Sequence, residues 1–392
     1  MKKTIFLLAS VCIALFANAQ VSKTIDIPTA GTLYKYLSKT ERTTVTNLTL
    51  TGTIDASDFK TMRDSMTTLK ILDIKSTNIA ACFDSINSKE YPENVLPEFS
   101  FYNPDNLSFT GNGLKAINLP LSITAIGESA FKLCSNLDSI TIPSLVTSIE
   151  SDAFDDCQGL AILNFSEPSS VLTIGSGAFN DCSNLQSVCI PNTVKLIGSY
   201  AFNESSIASL TIGNSVTKIA NDAFGYCTNL TSIKIPSSVT SFGDHAFSDL
   251  NNLYTLYSYS KQPVPLNTNS FVFSKINKTT CTLYVPIGSK NLYQSAEQWK
   301  DFQNIIEFDT NKVYSTVNTS NICIYPNLVT EKITIKTDQE ATFLIYSMDG
   351  TFVLKDFVID EKTIGVNSLP IGLYYIMIKT GKEQILKTFI KQ

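Results

Sequence analysis

A hydrophobic pattern that repeats every 22 to 25 residues organises the middle of the chain. The dipeptide Ala-Phe occurs six times, at successive steps of 23, 25, 23, 22 and 23 residues, and it occurs nowhere outside this register. A fixed period of this size is typical of a solenoid, in which each repeat forms one coil. The pairs are Ala130-Phe131, Ala153-Phe154, Ala178-Phe179, Ala201-Phe202, Ala223-Phe224 and Ala246-Phe247.

Apolar positions within one coil predict a short strand followed by tight returns. Ile140 and Ile142 lie two residues apart, which places both side chains on one face of a strand. Pro143 lacks a backbone N–H and therefore ends that strand. Val146 and Ile149 then point a second apolar edge inward. Because one coil buries little surface alone, stability is expected to come from the stacking of neighbouring coils into one core.

The segments on either side of the regular repeats predict caps. Residues 20–113 are expected to form an N-terminal cap of degenerate repeats, with a helix from Ser57 to Met66 for which Ser57 is the N-cap. Residues 114–308 are expected to form the repeat solenoid with a C-terminal cap, marked by the run Leu283 to Pro286. Terminal repeats of a solenoid differ from the others because one of their faces meets water.

The first 19 residues predict a signal peptide. Lys2 and Lys3 precede an apolar run from Ile5 to Phe16, and Ala19 supplies the small residue that precedes cleavage ahead of Gln20. The alternative is an N-terminal membrane anchor, but the run is shorter than the roughly 20 residues that span a bilayer. We therefore expect an exported mature chain with no transmembrane segment.

A separate C-terminal domain is expected after a polar linker at residues 309–320. Short β-rich runs separated by turn signals follow, and Asp349-Gly350 between two of them is a strong hairpin signal. These runs within residues 321–392 predict a small β-sandwich. The runs are Lys332–Lys336, Ala341–Ser347, Thr351–Phe357, Gly372–Lys379 and Gln384–Lys391.

Composition and charge narrow the functional class. The chain has 392 residues, of which 43% are hydrophobic and 17% are charged, a balance that predicts a folded protein. Loss of Lys2 and Lys3 with the signal peptide would change the formal net charge from −5 to −7. Arg42 and Arg63 are the only arginines, and nucleic-acid recognition needs a basic, Arg-rich face, so we expect no nucleic-acid partner.

Four cysteines occupy one column of the repeat, three residues after each Phe: Cys134, Cys157, Cys182 and Cys227. Stacked coils lie about 4.8 Å apart, so disulfides between neighbours are left open by distance. The same position accepts Ser205 and Leu250 in other coils, which favours buried free thiols. The chain contains no C-x-x-C motif, so we expect no zinc site and no other metal.

The single histidine and a column of acidic residues offer little chemistry. His245 shares its column with Asp152, Tyr200 and Asp222, and such a variable, polar position is expected to be solvated. A Cys–His nucleophile pair would need a thiol beside it, whereas Cys227 lies in another column. A second column is acidic but lacks any calcium-loop pattern. Its side chains are therefore expected to lie on a solvent-exposed loop edge and not to form a cation site. Its members are Asp156, Asp181, Glu204 and Asp249.

Outward-facing strand residues form a ladder of small, nearly uncharged side chains. Such an extended surface can form hydrogen bonds and suits a repetitive partner, either a glycan or an extended host protein. The alternative is a threonine-rich face that reflects β propensity alone. The candidate binding residues are Ser139, Thr141, Ser187, Ser209, Thr211, Ser232, Lys234, Thr255, Tyr257 and Tyr259.

The repeat resembles the BspA-type leucine-rich repeats of bacterial surface proteins, whose frame is L-x-x-I-x-I-P-x-x-V-x-x-I-G-x-x-A-F-x-x-C. The likeness is specific from residue 114 to about 260, with Ser205 and Leu250 replacing Cys and Ile212-Gly213 replacing Ile-Pro. It implies a mainly β fold, a solenoid of short parallel strands joined by turns or short helices.

Residues 321–392 resemble a type A sorting domain of the type IX secretion system. The matching residues are Ile324-Tyr325-Pro326-Asn327, Ile345-Tyr346, Asp349-Gly350, Leu369-Pro370-x-Gly372-x-Tyr374 and the terminal run Lys387 to Lys391. The resemblance implies contact with that machinery, passage through the outer membrane, and later removal of the domain, often with attachment to surface lipopolysaccharide. The alternative for this immunoglobulin-like β-sandwich is an ordinary binding module.

These observations predict a secreted or cell-surface, non-catalytic binding protein. It is expected to be adhesin-like and to use its repeat face to bind a host protein or glycan, without catalytic residues, metal or cofactor. The alternative is a structural, envelope-associated scaffold without a specific ligand. A third possibility is an enzyme that acts on glycans through acidic residues.

Overall fold

The structure is a computed structural model in which most of the chain outside the N-terminus can be described. The predicted signal peptide, residues 1–19, lies outside the described part, as do nearly all of the predicted linker and the predicted hairpin at Asp349-Gly350. The described residues are 20–84, 88–105, 113–166, 168–266, 268–310, 323–325, 328–329, 331–337, 340–347, 351–370, 372–380 and 383–391.

The N-terminal region contains longer strands than the repeats and all but one of the described α-helices. A parallel sheet carries β1, β2 and β3 in that order, and β4 pairs antiparallel with β5 in a hairpin. The elements are β1 (Ser22–Ile27), α1 (Leu33–Tyr36), α2 (Lys39–Thr44), β2 (Asn47–Ile54), α3 (Ala56–Ser65), β3 (Ile71–Ile79), β4 (Cys82–Asp84) and β5 (Lys89–Tyr91).

Helix α3 is close to its predicted bounds, but the prediction that Ser57 caps it is wrong. The N-cap is Asp55, whose carboxylate accepts a hydrogen bond from the Ser57 N–H at 2.8 Å. Asp58 returns a bond by accepting from the Asp55 N–H at 3.0 Å. Asp and Ser are comparable N-caps, and the reciprocal acceptor three residues later favours Asp55.

The repeats alternate a long strand with a strand of two residues. Each coil contributes one of each, followed by a turn segment that contains the Ala-Phe pair. The strands are β6 (Val95–Leu96), β7 (Ala116–Asn118), β8 (Ala125–Ile126), β9 (Ser139–Ile142), β10 (Ser148–Ile149), β11 (Ile162–Phe165), β12 (Thr173–Ile174), β13 (Ser187–Cys189), β14 (Leu196–Ile197), β15 (Ser209–Thr211), β16 (Lys218–Ile219), β17 (Ser232–Ile235), β18 (Ser241–Phe242) and β19 (Thr255–Ser258).

Three sides of each coil bond to the neighbouring coils. On the first side the long strands run parallel and pair in twos, β9 with β11, β13 with β15 and β17 with β19. On the second side the two-residue strands form a parallel sheet in the order β18-β16-β14-β12-β10-β8-β6. On the third side alternate N–H groups of one turn segment donate to the next, as Phe154 does to Ala178 and Asp156 to Asn180, at 2.8 and 2.9 Å.

A stack of phenylalanine rings fills the centre of the solenoid. Neighbouring rings from Phe131 to Phe247 lie 4.9 to 5.5 Å apart and within 8° of parallel. All six rings and the six alanines before them are fully buried. The predicted inward positions Ile140, Ile142 and Val146 are also buried, which confirms the reading of the coil.

Each turn segment places two residues in the left-handed region of backbone space. In one coil these are Asp152 and Asp156, with φ of 54° and 56°. Each is the third residue of a four-residue turn closed by an N–H to C=O bond, at Glu150–Ala153 and Phe154–Cys157. A type II turn needs positive φ at that position, which Asp, Asn and His tolerate better than most residues.

The solenoid ends in an aromatic cap. Trp299 is fully buried, and its Nε1–H donates to the Val264 carbonyl at 2.9 Å. The Tyr293 hydroxyl lies 2.7 Å from Ser258 Oγ, within the same buried group. The elements here are β20 (Thr282–Pro286), α4 (Lys290–Ser295), a 3₁₀ helix (Trp299–Asp301) and β21 (Asn304–Phe308).

The C-terminal segment forms two sheets with a hydrophobic cluster of their own. One sheet has the order β22-β24-β27 and the other β23-β29-β28-β25-β26, and Phe343, Ile376 and Phe389 are fully buried among the core residues. The strands are β22 (Cys323–Tyr325), β23 (Leu328–Val329), β24 (Lys332–Lys336), β25 (Ala341–Ser347), β26 (Phe352–Val358), β27 (Glu361–Gly365), β28 (Gly372–Thr380) and β29 (Glu383–Lys391).

The predicted fold class is therefore confirmed as mainly β, with short parallel strands stacked into a solenoid. The five predicted C-terminal strands each lie within one residue of an observed strand, and β22, β23 and β27 were missed. The immunoglobulin-like character of this segment, and the domain boundaries, stay predictions.

Candidate functional site

The candidate site is the outer surface of the long strands, called here the strand face. Side chains alternate along a strand, so each long strand buries one set and presents the other outward. In β9 and β17 the outward residues are partly exposed and the inward ones buried. The outward residues make two rows: Ser139, Ile162, Ser187, Ser209, Ser232, Thr255 and Thr282 in the first, and Thr141, Asn164, Cys189, Thr211, Lys234, Tyr257 and Tyr284 in the second.

Strand register brings nine of the ten predicted binding residues into these rows. Ser187 pairs with Ser209, and Ser232 pairs with Thr255. Tyr259 lies just beyond the end of β19, where its N–H donates to the Ile235 carbonyl at 3.0 Å. The structure thus places nine of the ten residues in the two rows and Tyr259 next to them, and their role in binding stays a prediction.

The expectation that Tyr257 is an exposed residue is wrong. Only 6% of its surface is accessible, because its ring stacks on Tyr284 at 4.5 Å between centroids. Phe308 packs edge-on against both Tyr257 and Tyr259, at 5.4 and 5.2 Å. This burial raises the pKa of the Tyr257 hydroxyl, and electrostatic interaction with the hydroxyls of Tyr284 and Tyr259 raises it further. The aromatic group closes the strand face at its C-terminal end.

Asn164 is a polar residue of the strand face that the sequence reading missed. It pairs in register with Thr141 and is 97% buried, with 3% of its surface accessible. Its side-chain Nδ2 has no hydrogen-bond partner. Leaving a buried donor unmet costs about 1–3 kcal/mol. Alignment of Leu160 with the first Leu of the other coils would have placed Asn164 in the column of Thr141, which was the available signal.

Charge and chemistry on the strand face favour binding through hydrogen bonds. Lys234 is the only charged residue in its two rows, and the rows contain no carboxylate that could act as an acid or a base. Within the residues that the structure describes, no three His, Cys, Asp or Glu side chains group to hold a metal ion.

The cysteines that share one column of the repeat also share one chemical state. The predicted free, buried state of Cys134, Cys157, Cys182 and Cys227 is confirmed. The Cys227 thiol lies 3.1 Å from the Phe202 carbonyl of the preceding coil, and Ser205 makes the same bond to Phe179 at 2.9 Å. Burial raises the pKa of Cys227 to about 12, so the thiolate needed for nucleophilic attack is disfavoured. Cys189 of the strand face, in contrast, is disulfide-bonded.

The columns of His245 and of the acidic residues form the turn face, the outer surface of the turn segments. His245 has a φ of 55°, and its Nδ1 lies 3.2 Å from an Asp244 carboxylate oxygen. Its imidazole is 38% exposed while Cys227 is fully buried in the core, so they form no nucleophile pair. Burial, with Asp156 and Glu204 nearby, raises the pKa of Asp181.

A cavity of about 250 Å³ lies beside the β4–β5 hairpin, away from the predicted binding residues. Its lining includes Lys89, Tyr91, Glu98, Glu128 and Glu150. Lys89 forms an ion pair with Glu98, and the hydrogen bond between them raises the pKa of Lys89. The one cation of the cavity is therefore already paired.

A search for membrane-crossing segments covered the described residues. None of their helices combines the length and the apolar character that a bilayer crossing requires.

Comparison with solved structures finds similarity to leucine-rich repeat proteins. A leucine-rich cell surface protein from Faecalibacterium prausnitzii A2-165 is 23% identical, with coverage of 61% of this chain and 69% of the other and a TM-score of 0.39. A leucine-rich repeat protein of T. pallidum is 27% identical over 47% and 77%, with a TM-score of 0.36. One from Bacteroides ovatus ATCC 8483 is 21% identical over 68% and 73%, with a TM-score of 0.37. No curated protein matches significantly.

Two family models match the chain. The model of the secretion system C-terminal sorting domain matches residues 323–392. A domain of this kind directs the protein through type IX secretion to the cell surface or the exterior. The BspA type leucine rich repeat region matches in six copies, over residues 53–168, 103–231, 159–278 and 218–338. These matches cover well over half of the chain, so it belongs to the BspA-type leucine-rich repeat family.

Proposed function

We propose that this protein is a non-catalytic, adhesin-like binding protein that uses the strand face to bind a host protein or glycan. One observation supports the proposal: nine of the ten predicted residues fall into the two outward rows of the stacked coils from β9 to β19, and all of these except Tyr257 are partly exposed. A surface repeated every coil suits an extended, repetitive ligand.

The chemistry of the strand face supports binding over catalysis. Its hydroxyl and amide groups can donate and accept hydrogen bonds, whereas general acid–base catalysis needs a titratable pair within reach of one substrate atom. Repeats of this family are typically non-catalytic. The secretion route supports the same proposal, because a protein delivered to the cell surface meets host molecules and extracellular polymers.

A binding panel on the mature chain, residues 20–392, tests the proposal. Glycan arrays and immobilised host-matrix proteins are the probes, and the readout is saturable binding. Thr211→Arg places a bulky side chain in the second row, at mid-face, so we expect it to abolish binding. Thr228→Arg, at an exposed turn position away from the strand face, is the matched control and should bind like the wild type.

Three outcomes separate the candidate functions. Saturable binding that Thr211→Arg removes and Thr228→Arg keeps supports the proposal. No binding across the whole panel would contradict it and favour a structural scaffold of the envelope. Hydrolysis of any polysaccharide by the purified protein would favour an enzyme instead.

A further inference from the structure

The burial of Asn164 is difficult to explain by folding alone. Asn is depleted in β-strands, so β propensity does not account for its place in β11. Buried polar side chains nearly always have hydrogen-bond partners, yet the Nδ2 of this residue has none although 97% of its surface is buried (3% accessible). A buried donor without an acceptor just beneath a candidate binding surface is a position where a ligand atom can complete the bond once the side chains that cover the donor move aside.

A second unmet group lies on the same surface. The Oγ of Ser232 in β17 is buried and also has no partner. Between β11 and β17 come only β13 and β15, so the two residues lie three coils apart along the solenoid. A ligand that meets both groups must therefore be extended and must follow the stack of coils.

The strand face also indicates the chemical class of that ligand. An anionic polymer would need several cations, and Lys234 is the only one in the two rows. A peptide that binds by strand addition needs free space beside an edge strand. The long strands from β9 to β19 each lie between two neighbouring coils: β9 pairs with β11, β13 with β15 and β17 with β19, and the next coil contacts each pair closely. An uncharged glycan needs neither, and its hydroxyl and ring oxygens are hydrogen-bond acceptors.

We propose that the strand face binds an extended, uncharged glycan and that the Asn164 amide is the donor that anchors it. The inference rests on the proposed function, because it takes the strand face as the ligand-binding surface. The bond runs from Nδ2–H of Asn164 to a glycan oxygen, and Ser232 supplies a second bond three coils away. Thr141, in register with Asn164, lies beside the anchoring position.

The experiment uses the mature chain without reductant, because Cys189 in the same row is disulfide-bonded. The probes are neutral hexasaccharides with β-1,4, β-1,3 and α-1,6 linkages, and sulfated and sialylated glycans are the charged comparison. Binding is measured by titration calorimetry. We expect at least one neutral hexasaccharide to bind, Asn164→Ala and Asn164→Leu to weaken it about tenfold, and Asn251→Leu, at an exposed loop position, to leave it unchanged.

Thermal melting separates anchoring from a structural role. Asn164→Leu removes the unmet donor and fills similar volume, so its melting temperature should equal or exceed that of the wild type. A lower melting temperature for Asn164→Leu, with wild-type affinity in Asn164→Ala, would show a structural residue and overturn the inference.

The outcomes also distinguish the two proposals. Saturable binding to a host protein or a charged glycan but to no neutral glycan would overturn this inference and leave the proposed function standing. Neutral-glycan binding that Thr211→Arg abolishes but Asn164→Ala does not would overturn the role of Asn164. Absence of all binding would contradict both.

Discussion

The turn face and the strand face come from the same repeats but follow different rules. On the turn face the left-handed backbone conformation repeats, since Asp156, Asp181 and Glu204 all have positive φ, and Gly177 occupies the equivalent position of Asp152 in the next coil. On the strand face the backbone is extended and accepts many side chains. The comparison teaches that a repeated polar column can have a purely conformational cause, whereas an unusual polar residue on the strand face needs another one.

Both faces pack on the phenylalanine stack. Removal of one ring should therefore lower the free energy of unfolding more than any other substitution considered below. Phe179→Ala leaves a cavity between rings at 5.1 and 5.2 Å, and we expect the free energy of unfolding to fall by about 3–5 kcal/mol. Urea denaturation measures the loss, and Leu145→Ala at an exposed position should cost less than about 0.5 kcal/mol.

Hydrogen exchange can show which face depends more on that ring. Phe179 lies within the turn segment, and its own N–H donates to the Ala201 carbonyl at 2.8 Å. Amide protection should therefore fall more in the turn segments than in β13 and β15. An equal loss of amide protection in the turn segments and in β13 and β15 would show that the ring stabilises both faces to the same extent, and would contradict this prediction.

A β-branched residue separates the two faces directly. Asp156→Val forces valine into left-handed backbone at φ of 56°, and we expect a loss of about 1–2 kcal/mol in urea denaturation. Thr141→Val, a near-isosteric change on the extended strand face, should change stability by less than about 0.5 kcal/mol. Asp156→Gly should be neutral or stabilising, and a destabilising glycine would show that side-chain contacts, and not φ, govern the turn face.

The thiol column offers a smaller test of the turn segments. The Cys182 thiol lies 3.4 Å from the Phe154 carbonyl of the preceding coil. Cys182→Ala loses this bond and a buried sulfur, and we expect it to cost about 1–2 kcal/mol. Cys182→Ser keeps a donor, as the natural Ser205 does, and should cost less in the same denaturation experiment. Equal losses in both variants would show that the hydrogen bond contributes nothing.

Sequence periodicity predicted the core and the strand face because both depend on short-range rules. Alternation is visible within one strand, and the Ala-Phe spacing is visible between successive coils, so Ile140 and Phe154 could be placed inside from the sequence. The same alternation placed Ser139 and Thr141 on the outer surface.

Features that depend on distant contacts could not be predicted. The burial of Tyr257 comes from Tyr284 and Phe308, which lie in other strands of the cap. Selection of Asp55 over Ser57 as the N-cap depends on backbone geometry, although Asp58 three residues later was a usable signal. The left-handed turns were hidden because Tyr200 and Asp222 share no obvious property in the sequence.

The smallest expected effect concerns the charge of the turn face. Burial and the nearby Asp156 and Glu204 raise the folded-state pKa of Asp181 above the usual 3.8. A raised carboxyl pKa means that the protonated form favours folding, and that this contribution is lost as the pH rises through the folded pKa. Asp181→Asn should therefore raise the melting temperature at pH 7, with a gain that shrinks as the pH falls towards 4. Thr193→Ser, in the loop after β13, should show no such pH dependence, and a gain for Asp181→Asn that is equal at both pH values would mean that repulsion between the turn-face carboxylates does not limit stability.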